Sequence, residues 1–216
     1  MFGAFITPLI FVKKGAFTMS QLKMYWFPGT PIEELELPEG YSFSNYKDEN
    51  DIDAWIKCCQ NGLVSDNYDE ARECWNNAIL GRPDINLSED VFFLDYKGEH
   101  VGSITAYIHS EDNTGDVHMV GIRTDFRGRG LGKYMNNKAI KHLASKNPVF
   151  VHLTTDEWRK AAVRSYLRAG FKPVKYDVGM PKRWRDELEA VGVDSVDMYN
   201  NKGKFYKTIY RKNYNK

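Results

Sequence analysis

The sequence predicts an α/β (α+β) fold, in which short apolar segments of strand length alternate with segments of helical periodicity. Residues 117–122 and 149–154 are mostly apolar and short enough for buried strands. Residues 131–143 and 162–167 instead repeat apolar side chains every three or four positions, as one face of a helix does. The chain has 216 residues, 42% of them hydrophobic and 27% charged, so we expect one domain with one substantial core.

The first half of the chain predicts a strand and then two helices. The strand is predicted over 41–46, and Asp48 or Asn50 is placed to cap a helix that runs through Cys59. A second helix is predicted over 68–79, because it ends in front of a Gly-Arg-Pro stretch that disfavours further helix.

A hairpin and a C-terminal helix and strand complete the predicted elements. Residues 91–96 and 101–109 predict two strands joined at 97–100. Towards the C-terminus a helix is predicted over 181–191, and the alternation within 204–210 predicts a last strand. The sequence contains no repeats and no low-complexity linker, which favours a continuous fold.

The N-terminus is predicted to be an extension to this domain. Residues 2–12 are apolar and are followed by two lysines, but about 20 apolar residues are needed to cross a bilayer. A secretory signal would place its positive charges before the apolar region, not after it. We therefore expect no membrane partner, a dispensable extension over 1–18 and a single domain over 19–216. Two interpretations of the extension fit equally well. It is either a strand-like arm that packs on the domain, or the result of an incorrectly assigned translation start, in which case Met19 is the first residue.

A glycine-rich segment joins the strand over 117–122 to the next helix. Its members are Arg127, Gly128, Arg129, Gly130, Leu131, Gly132 and Lys133. Three glycines within five positions allow a tight turn and bring backbone N–H groups close to an anion. The helix that follows adds unpaired amides and the positive end of its dipole. The segment therefore predicts a phosphate cradle.

Two familiar phosphate loops do not match this segment. A Walker loop ending at Gly132-Lys133 would need glycine at Arg127, and Tyr134 replaces the hydroxyl that binds magnesium. A dinucleotide fingerprint starting at Gly128 would need glycine at Lys133. An unrelated nucleotide-binding module is accordingly disfavoured.

The remaining pattern, RxxGxG at Arg127, Gly130 and Gly132, resembles the pyrophosphate-binding segment of the GCN5-related N-acetyltransferases. Farther along, Ala162-x-x-x-Tyr166-x-x-x-Gly170-Phe171 matches the spacing that ends a later helix in this family. The resemblance covers about residues 90–175. It implies a mixed, strongly twisted sheet flanked by helices, with two central parallel strands that splay apart, here 117–122 and 149–154.

The resemblance also implies a donor substrate, acetyl-CoA, and how it is bound. The backbone of residues 127–133 would hold the diphosphate of coenzyme A, and backbone groups of Val120 and Ile122 would pair with pantetheine amides. The N–H of Val120 is also the candidate donor to the carbonyl oxygen. Many relatives carry asparagine seven residues before the tyrosine, where this chain has Arg159. Arg159 can donate to a phosphate or a pantetheine carbonyl, although an exposed arginine at a helix start fits equally well.

Transfer of an acetyl group from a thioester to an amine also requires an acid and a base. Tyr166 occupies the family's tyrosine position and is the candidate acid for the departing thiolate. His118 and Asp116 are the candidate bases, because they begin the strand where some relatives place a catalytic glutamate. A lone histidine in a strand is more often structural, and a water chain is the other route for the proton.

The acceptor is expected to be a small-molecule amine or a peptide, bound where the family uses variable regions. Those regions correspond here to about residues 53–84, the hairpin end and the C-terminal segment. Aromatic and acidic side chains there suit an amine. They are Trp55, Tyr68, Trp75, Trp184, Tyr199, Asp66, Asp69, Glu70 and Glu73. Asp156 and Glu157 are further candidates to hold a cationic acceptor, although helix capping explains them as well.

Composition restricts the other partners. A net charge of +1 predicts no nucleic-acid partner. The three cysteines, Cys58, Cys59 and Cys74, show no metal-ligand spacing, so we expect no metal and a reduced, cytoplasmic protein. A homodimer is left open. The alternative function is a non-catalytic acyl-CoA-binding or regulatory domain, because the base is not defined and Arg159 departs from the pattern.

Overall fold

A mixed nine-stranded sheet organises the part of the chain that the structure, a computed structural model, describes, residues 20–214. The predictions for residues 1–18 and for Met19 as a start lie outside the described residues. The strands are β1 Leu22–Trp26, β2 Tyr41–Asn45, β3 Val91–Tyr96, β4 Glu99–Ile108, β5 Gly115–Ile122, β6 Val151–Thr155, β7 Lys172–Lys175, β8 Ser195–Asn200 and β9 Phe205–Tyr210. Their order across the sheet is β2-β3-β4-β5-β6-β1-β7-β8-β9.

Helices lie on both faces of this sheet. They are α1 Asn50–Cys59, α2 Tyr68–Trp75, α3 Leu87–Asp90, α4 Gly132–Ser145, α5 Lys160–Arg168 and α6 Met180–Val191. A π-helical segment, Asn76–Leu80, continues α2, and a 3-10 turn, Thr124–Phe126, follows β5. Among the described residues no helix combines the length and apolar character needed to cross a membrane.

The sheet mixes strand directions as predicted. The β5–β6 and β7–β8 pairs are parallel, and the other neighbouring pairs are antiparallel. The predicted α/β fold class with a mixed sheet is therefore confirmed.

Each face of the sheet buries its own apolar cluster. On one face α4, α5 and α6 pack against the strands, with Met135, Val163 and Trp184 fully buried. On the other face α1 and α2 pack against β3 and β5, with Trp55 and Trp75 fully buried. Burial of a large side chain contributes roughly 1.5–3 kcal/mol, so these two layers hold the strands in place around the middle of the sheet.

The sequence prediction missed β1, which lies between β6 and β7. Its sequence, Leu-Lys-Met-Tyr-Trp, is buried at four of its five positions, so it lacks the alternation of apolar and polar residues that marks a half-buried strand. The short α3 and the strand β8 were also not predicted. The predicted helix over 68–79 begins at the Asn67 cap, whose side chain accepts from the Glu70 N–H, but its last turn is π-helical.

Candidate active site

The two central parallel strands pair only where they begin. Gly115 lies opposite Val151 and Asp116 opposite His152, and no later residues of β5 and β6 pair in the described structure. Beyond this point β6 continues to pair with β1, and β5 continues to pair with β4. The backbone edges that face each other between β5 and β6 therefore lie open, as an inserted extended ligand requires.

A β-bulge in β5 shapes one side of this gap. Ser103 of β4 lies opposite Gly121, but Thr105 lies opposite His118, so β5 holds one extra residue. Met119 at the bulge has a positive φ of 51° and packs with the cluster under α1 and α2. Such a bulge re-aims the backbone that follows it.

Val120 and Ile122 present their backbone groups to the gap. The Arg123 N–H donates to the Val101 carbonyl on β4, so by strand alternation the backbone groups of Ile122 and Val120 face away from β4. The Ile122 carbonyl already accepts a hydrogen bond from Arg127 Nε at 2.8 Å. The N–H groups of both residues are thus the donors available to a ligand.

The glycine-rich segment forms a bare backbone cradle. Within the described chain, the N–H groups of residues 128–131 donate to no carbonyl or side chain. Gly128 and Gly130 have positive φ of 76° and 72°, and a Cβ on either would meet nothing within 4 Å. Four free donors thus precede α4 in open space, which suits a diphosphate.

The Arg127 side chain holds this segment in place from behind. Its guanidinium donates to the Ile122 carbonyl at 2.8 Å, to the Asn61 carbonyl at 3.0 Å and to the Gln60 carbonyl at 2.8 Å. It therefore ties the segment to the end of α1. Each of its three nitrogens donates to a protein carbonyl, so the guanidinium faces the protein and the backbone N–H groups face the ligand.

The other side chains of the segment are divided between surface and core. Arg129 donates to the Asp125 carbonyl and lies 4.4 Å from the centre of the Phe126 ring, and Lys133 is exposed beside Tyr134. Leu131 is buried, and a Cβ on Gly132 would lie 3.3 Å from Ser165 Oγ of α5. The two basic side chains supply positive charge near the cradle, and the other two positions set the packing of α4.

Tyr166 is buried, with 6% of its surface exposed, and packs edge-on against Phe171. Burial raises the pKa of its hydroxyl to about 12, and the positive charge of Arg159 opposes this only in part. The hydroxyl of Tyr166 therefore carries its proton at neutral pH and can donate it.

Arg159 precedes α5 and contacts the α1–α2 connection. Its Nε donates to Asp156 Oδ2 at 3.1 Å, another nitrogen donates to the Gly62 carbonyl, and the guanidinium lies 4.2 Å from the Trp158 ring. Its positive charge opposes the rise that burial causes in the pKa of Tyr166. This position favours a role beside the tyrosine over one at the diphosphate.

His118 and Asp116, the candidate bases, point to the face covered by α1 and α2. His118 Nε2 lies 3.1 Å from the Ala78 carbonyl of the π-helical segment, and burial lowers the pKa of this histidine to about 4. Burial alone raises the pKa of Asp116, but the surrounding imidazoles, that of His152 first, hold it well below its usual range.

The structure adds two histidines that sequence reasoning missed. His109 Nε2 lies 3.6 Å from Asp116 Oδ2, and His152 Nδ1 lies 3.8 Å from Asp116 Oδ1. The two imidazoles stack with 5.3 Å between ring centres. Both lie within predicted strands, and only the neighbouring positions of those strands in the sheet could have indicated this cluster.

The structure corrects part of the predicted acceptor region. Trp55, Trp75 and Trp184 are fully buried core residues, whereas Tyr68 is half exposed. Asp156 accepts from Gln21 and Arg159, and Glu157 accepts from Arg183 at 2.6 Å. These carboxylates are already paired, so neither is free to bind an acceptor amine by charge alone. The exposed carboxylates of α2 remain candidates.

Sequence comparison identifies relatives over most of this region. A sequence model of the acetyltransferase (GNAT) family matches residues 49–171. A mycothiol acetyltransferase of Streptomyces coelicolor is 30% identical over 145 residues, which are 66% of this chain and 46% of that protein. Another, of Streptomyces scabiei, is 29% identical over 161 residues, 70% of this chain and 48% of that protein. The chain thus spans about half the length of these curated relatives.

Solved structures show the same fold. A GCN5-related N-acetyltransferase from Sphaerobacter thermophilus superposes with a TM-score of 0.57 at 20% identity, covering 71% of this chain and 48% of that one. A GNAT-family acetyltransferase from Colwellia psychrerythraea gives 0.54 at 15% identity, covering 71% and 53%. The family model covers more than half of the chain, and the parted strands and amide cradle lie within it. The chain therefore belongs to the acetyltransferase (GNAT) family.

Proposed function

We propose that this protein is an N-acetyltransferase that moves an acetyl group from acetyl-CoA to a primary amine of a small molecule or peptide by direct attack. The observation that carries the proposal is the open gap between β5 and β6 beside four free amides. The coenzyme supplies an activated thioester carbonyl. The open backbone edges and the bare cradle fit an extended chain ending in a diphosphate.

The donor half of the site is built largely from backbone. The N–H groups of residues 128–131 bind the diphosphate, and the positive end of α4 adds to their attraction for it. The N–H groups of Val120 and Ile122 bind the extended pantetheine arm. The N–H of Val120 also faces the carbonyl oxygen as that oxygen gains negative charge.

Proton transfer is assigned to side chains on both sides of the gap. Tyr166 donates its proton to the departing thiolate. His118 or Asp116, directly or through water, accepts the proton of the attacking amine. Measuring pH–rate profiles of His118→Ala and Asp116→Asn separates the two, because loss of the acidic limb in one variant identifies the base and an unchanged profile excludes that residue.

The proposed acceptor is a small amine. The two curated relatives described above are mycothiol acetyltransferases, which favours a small-molecule acceptor over a protein. Three free cysteines favour a reducing compartment, so we place the reaction in the cytoplasm, carried by residues 19–216 as one domain. A homodimer is compatible with this site.

A thiol-release screen tests the proposal. Acetyl-CoA is offered with amines, polyamines, amino acids, aminoglycosides, peptides and mycothiol-related amines, and a thermal-shift titration of coenzyme A is run alongside. Coenzyme A at 100 times its dissociation constant should stabilise the protein by about 2.7 kcal/mol. Stabilisation without thiol release across the panel would support a non-catalytic acyl-CoA-binding domain instead. Absence of both would contradict the donor site itself.

A further inference from the structure

Three neighbouring strands bring two imidazoles and one carboxylate to a single point. His109 follows β4, Asp116 lies in β5 and His152 lies in β6. We propose that His109, Asp116 and His152 form a binding site for one divalent transition-metal ion of the zinc class. Two histidines and one carboxylate are a donor set that zinc uses, with the fourth position left to water.

The separations of the donor atoms favour an ion over direct hydrogen bonds. His109 Nε2 and Asp116 Oδ2 are 3.6 Å apart, and His152 Nδ1 and Asp116 Oδ1 are 3.8 Å apart. Both separations exceed the length of an ordinary N–H···O bond. Ligands about 2.1 Å from a tetrahedral zinc ion lie about 3.4 Å from one another. All three donors lie within 4.8 Å of one another, so small side-chain rotations complete the geometry.

A hydrogen bond from Tyr107 already orients Asp116, and a second carboxylate lies behind His109. Tyr107 donates its hydroxyl hydrogen to Asp116 Oδ2 at 3.2 Å, and Arg82 donates to the Tyr107 hydroxyl at 2.8 Å. Asp84 Oδ2 lies 3.9 Å from His109 Nδ1, the nitrogen that points away from the cluster. A carboxylate behind a ligating imidazole is the usual way in which proteins fix its tautomer.

The backbone around the cluster is also constrained. Asp116 lies opposite Tyr107 on one side and opposite His152 on the other. The His109 N–H donates to the Thr114 carbonyl at 2.8 Å, which closes the β4–β5 turn. The donor side chains are between 13% and 27% exposed, so an ion can reach them from solvent. A site carried by paired strands is pre-organised.

Two positively charged side chains near the cluster, Lys23 and Arg82, disfavour binding of a divalent cation, and this gives the proposal a second test. Lys23 lies on β1 two residues before Tyr25, which lies opposite His152, and the Arg82 guanidinium reaches Asp116 through the Tyr107 hydroxyl. Removing the Lys23 charge should therefore strengthen metal binding, the opposite of removing a ligand.

The cluster lies at the paired ends of β5 and β6, whereas the amide cradle follows the other end of β5. Metal uptake can thus be measured on protein free of coenzyme A. Asp116 is common to both proposals, and a carboxylate bound to an ion is not free to act as the base, so a bound ion leaves His118 or water in that role. Failure to bind metal leaves acetyl transfer untouched, and failure of acetyl transfer leaves the metal measurement valid.

The experiment titrates Zn²⁺ into chelator-treated full-length protein against a chromophoric zinc indicator. Wild-type protein should bind one equivalent. His152→Phe keeps a ring against His109, and Asp116→Asn keeps an acceptor for Tyr107. Each substitution should weaken zinc binding at least ~100-fold, because removing a residue that only hydrogen-bonds to a metal ligand already lowers metal affinity about 10–100-fold. Lys23→Met should tighten it. His142→Gln removes an imidazole paired with Asp90 elsewhere, and should leave binding unchanged.

Cobalt substitution supplies the spectroscopic control. Bound Co²⁺ should show visible bands of a site with nitrogen and oxygen ligands and no thiolate charge-transfer band, which would instead indicate the cysteines. Less than one equivalent of tight zinc in the wild type overturns the proposal. So does tight zinc that persists in both His152→Phe and Asp116→Asn.

Discussion

Tyr166 is the residue whose environment most directly suits its proposed role. Its hydroxyl is buried, and its pKa is raised to about 12 by that burial. Tyr166→Phe removes only the proton donor and keeps the ring that packs against Phe171. We expect turnover to fall at least ~10-fold, about 1.4 kcal/mol of barrier, with the dissociation constant of coenzyme A nearly unchanged. Steady-state kinetics and a coenzyme A titration measure the two effects.

A control and a pH profile sharpen that expectation. Tyr134→Phe, on α4 and outside the proposed machinery, should leave turnover unchanged. Because the pKa of Tyr166 is about 12, wild-type turnover should show no tyrosine ionisation between pH 7 and about 10. Equal turnover of Tyr166→Phe and wild type would remove this residue from the mechanism.

Arg127 acts on the ligand through the backbone that it supports. Its guanidinium donates to three carbonyls, which a lysine ammonium with its different geometry cannot reproduce together. Arg127→Lys should raise the KM for acetyl-CoA by roughly 10-fold and leave kcat within about 2-fold, because the cradle loosens while the acid and base stay in place. Arg168→Lys, at the exposed end of α5, is the matched control. A fall in kcat alone would contradict this role.

At the scale of elements, the approach of α1 to β5 depends on Gly121. A Cβ there would lie 2.6 Å from the Cys58 carbonyl oxygen, a backbone atom that cannot rotate away. Gly121→Ala should lower the free energy of unfolding by about 1–3 kcal/mol, as overpacking does. At Gly132 the neighbour is Ser165 Oγ at 3.3 Å, which can rotate, so Gly132→Ala should cost less. Urea unfolding compares the two, and equal losses would contradict the packing argument.

Asp90 joins α3 to α4. It is 2% exposed and accepts from His142 Nε2 and Lys146 Nζ, each at 2.9 Å. Burial raises the pKa of this carboxyl, but those hydrogen bonds outweigh burial and lower the pKa below the ordinary 3.8. A lowered folded pKa means that the stabilisation is complete at neutral pH. It is lost as the pH falls below about 4.

Asp90→Asn should therefore lower the free energy of unfolding at pH 7 by about 1–3 kcal/mol. The difference from wild type should narrow as the pH is lowered below 4, because the wild-type carboxyl is then protonated as well. Urea titrations at several pH values measure it, with exposed Glu39→Gln as a control. A difference independent of pH would show that charge is not responsible.

At the scale of the whole molecule, β1 connects two parts of the sheet. It pairs with β6 on one side and β7 on the other, and four of its residues are buried. Deleting residues 1–18, so that the chain starts at Met19, should change the free energy of unfolding by less than about 0.5 kcal/mol. Deleting residues 1–26 removes β1 and should abolish cooperative unfolding. Thermal and urea melts decide between these outcomes, and strong destabilisation by the shorter deletion would show that the extension belongs to the fold.

Features encoded by local backbone conformation could be predicted from the sequence. Gly128, Gly130 and Gly170 all have positive φ, and the helix predicted to end before Gly170 ends at Arg168. These positions can be predicted from the sequence because glycine is favoured wherever φ is positive. The parting of β5 and β6 was expected from the resemblance, and the pairing of the two strands agrees with it.

Features created by strand order could not be predicted in this way. No spacing in the sequence relates His152 to His109 and Asp116, because α4 separates its strand from the hairpin that carries the other two residues. The position of β1 was missed because a strand buried on both faces loses its alternation. The three tryptophans were assigned to the acceptor region because aromatic side chains near carboxylates suit an amine, whereas the structure buries them in the two apolar clusters.

The sequence by itself predicted the fold class and the family, which are confirmed, and it supplied the proposed phosphate cradle and the proposed acid, Tyr166. Their signals are local, since glycines and a helical repeat act over a few residues. Only the tertiary structure decided that the Arg127 side chain supports the cradle from behind. It alone decided that two further histidines surround Asp116. Both depend on contacts between distant segments, which form only when burial of the two apolar clusters fixes the order of the strands.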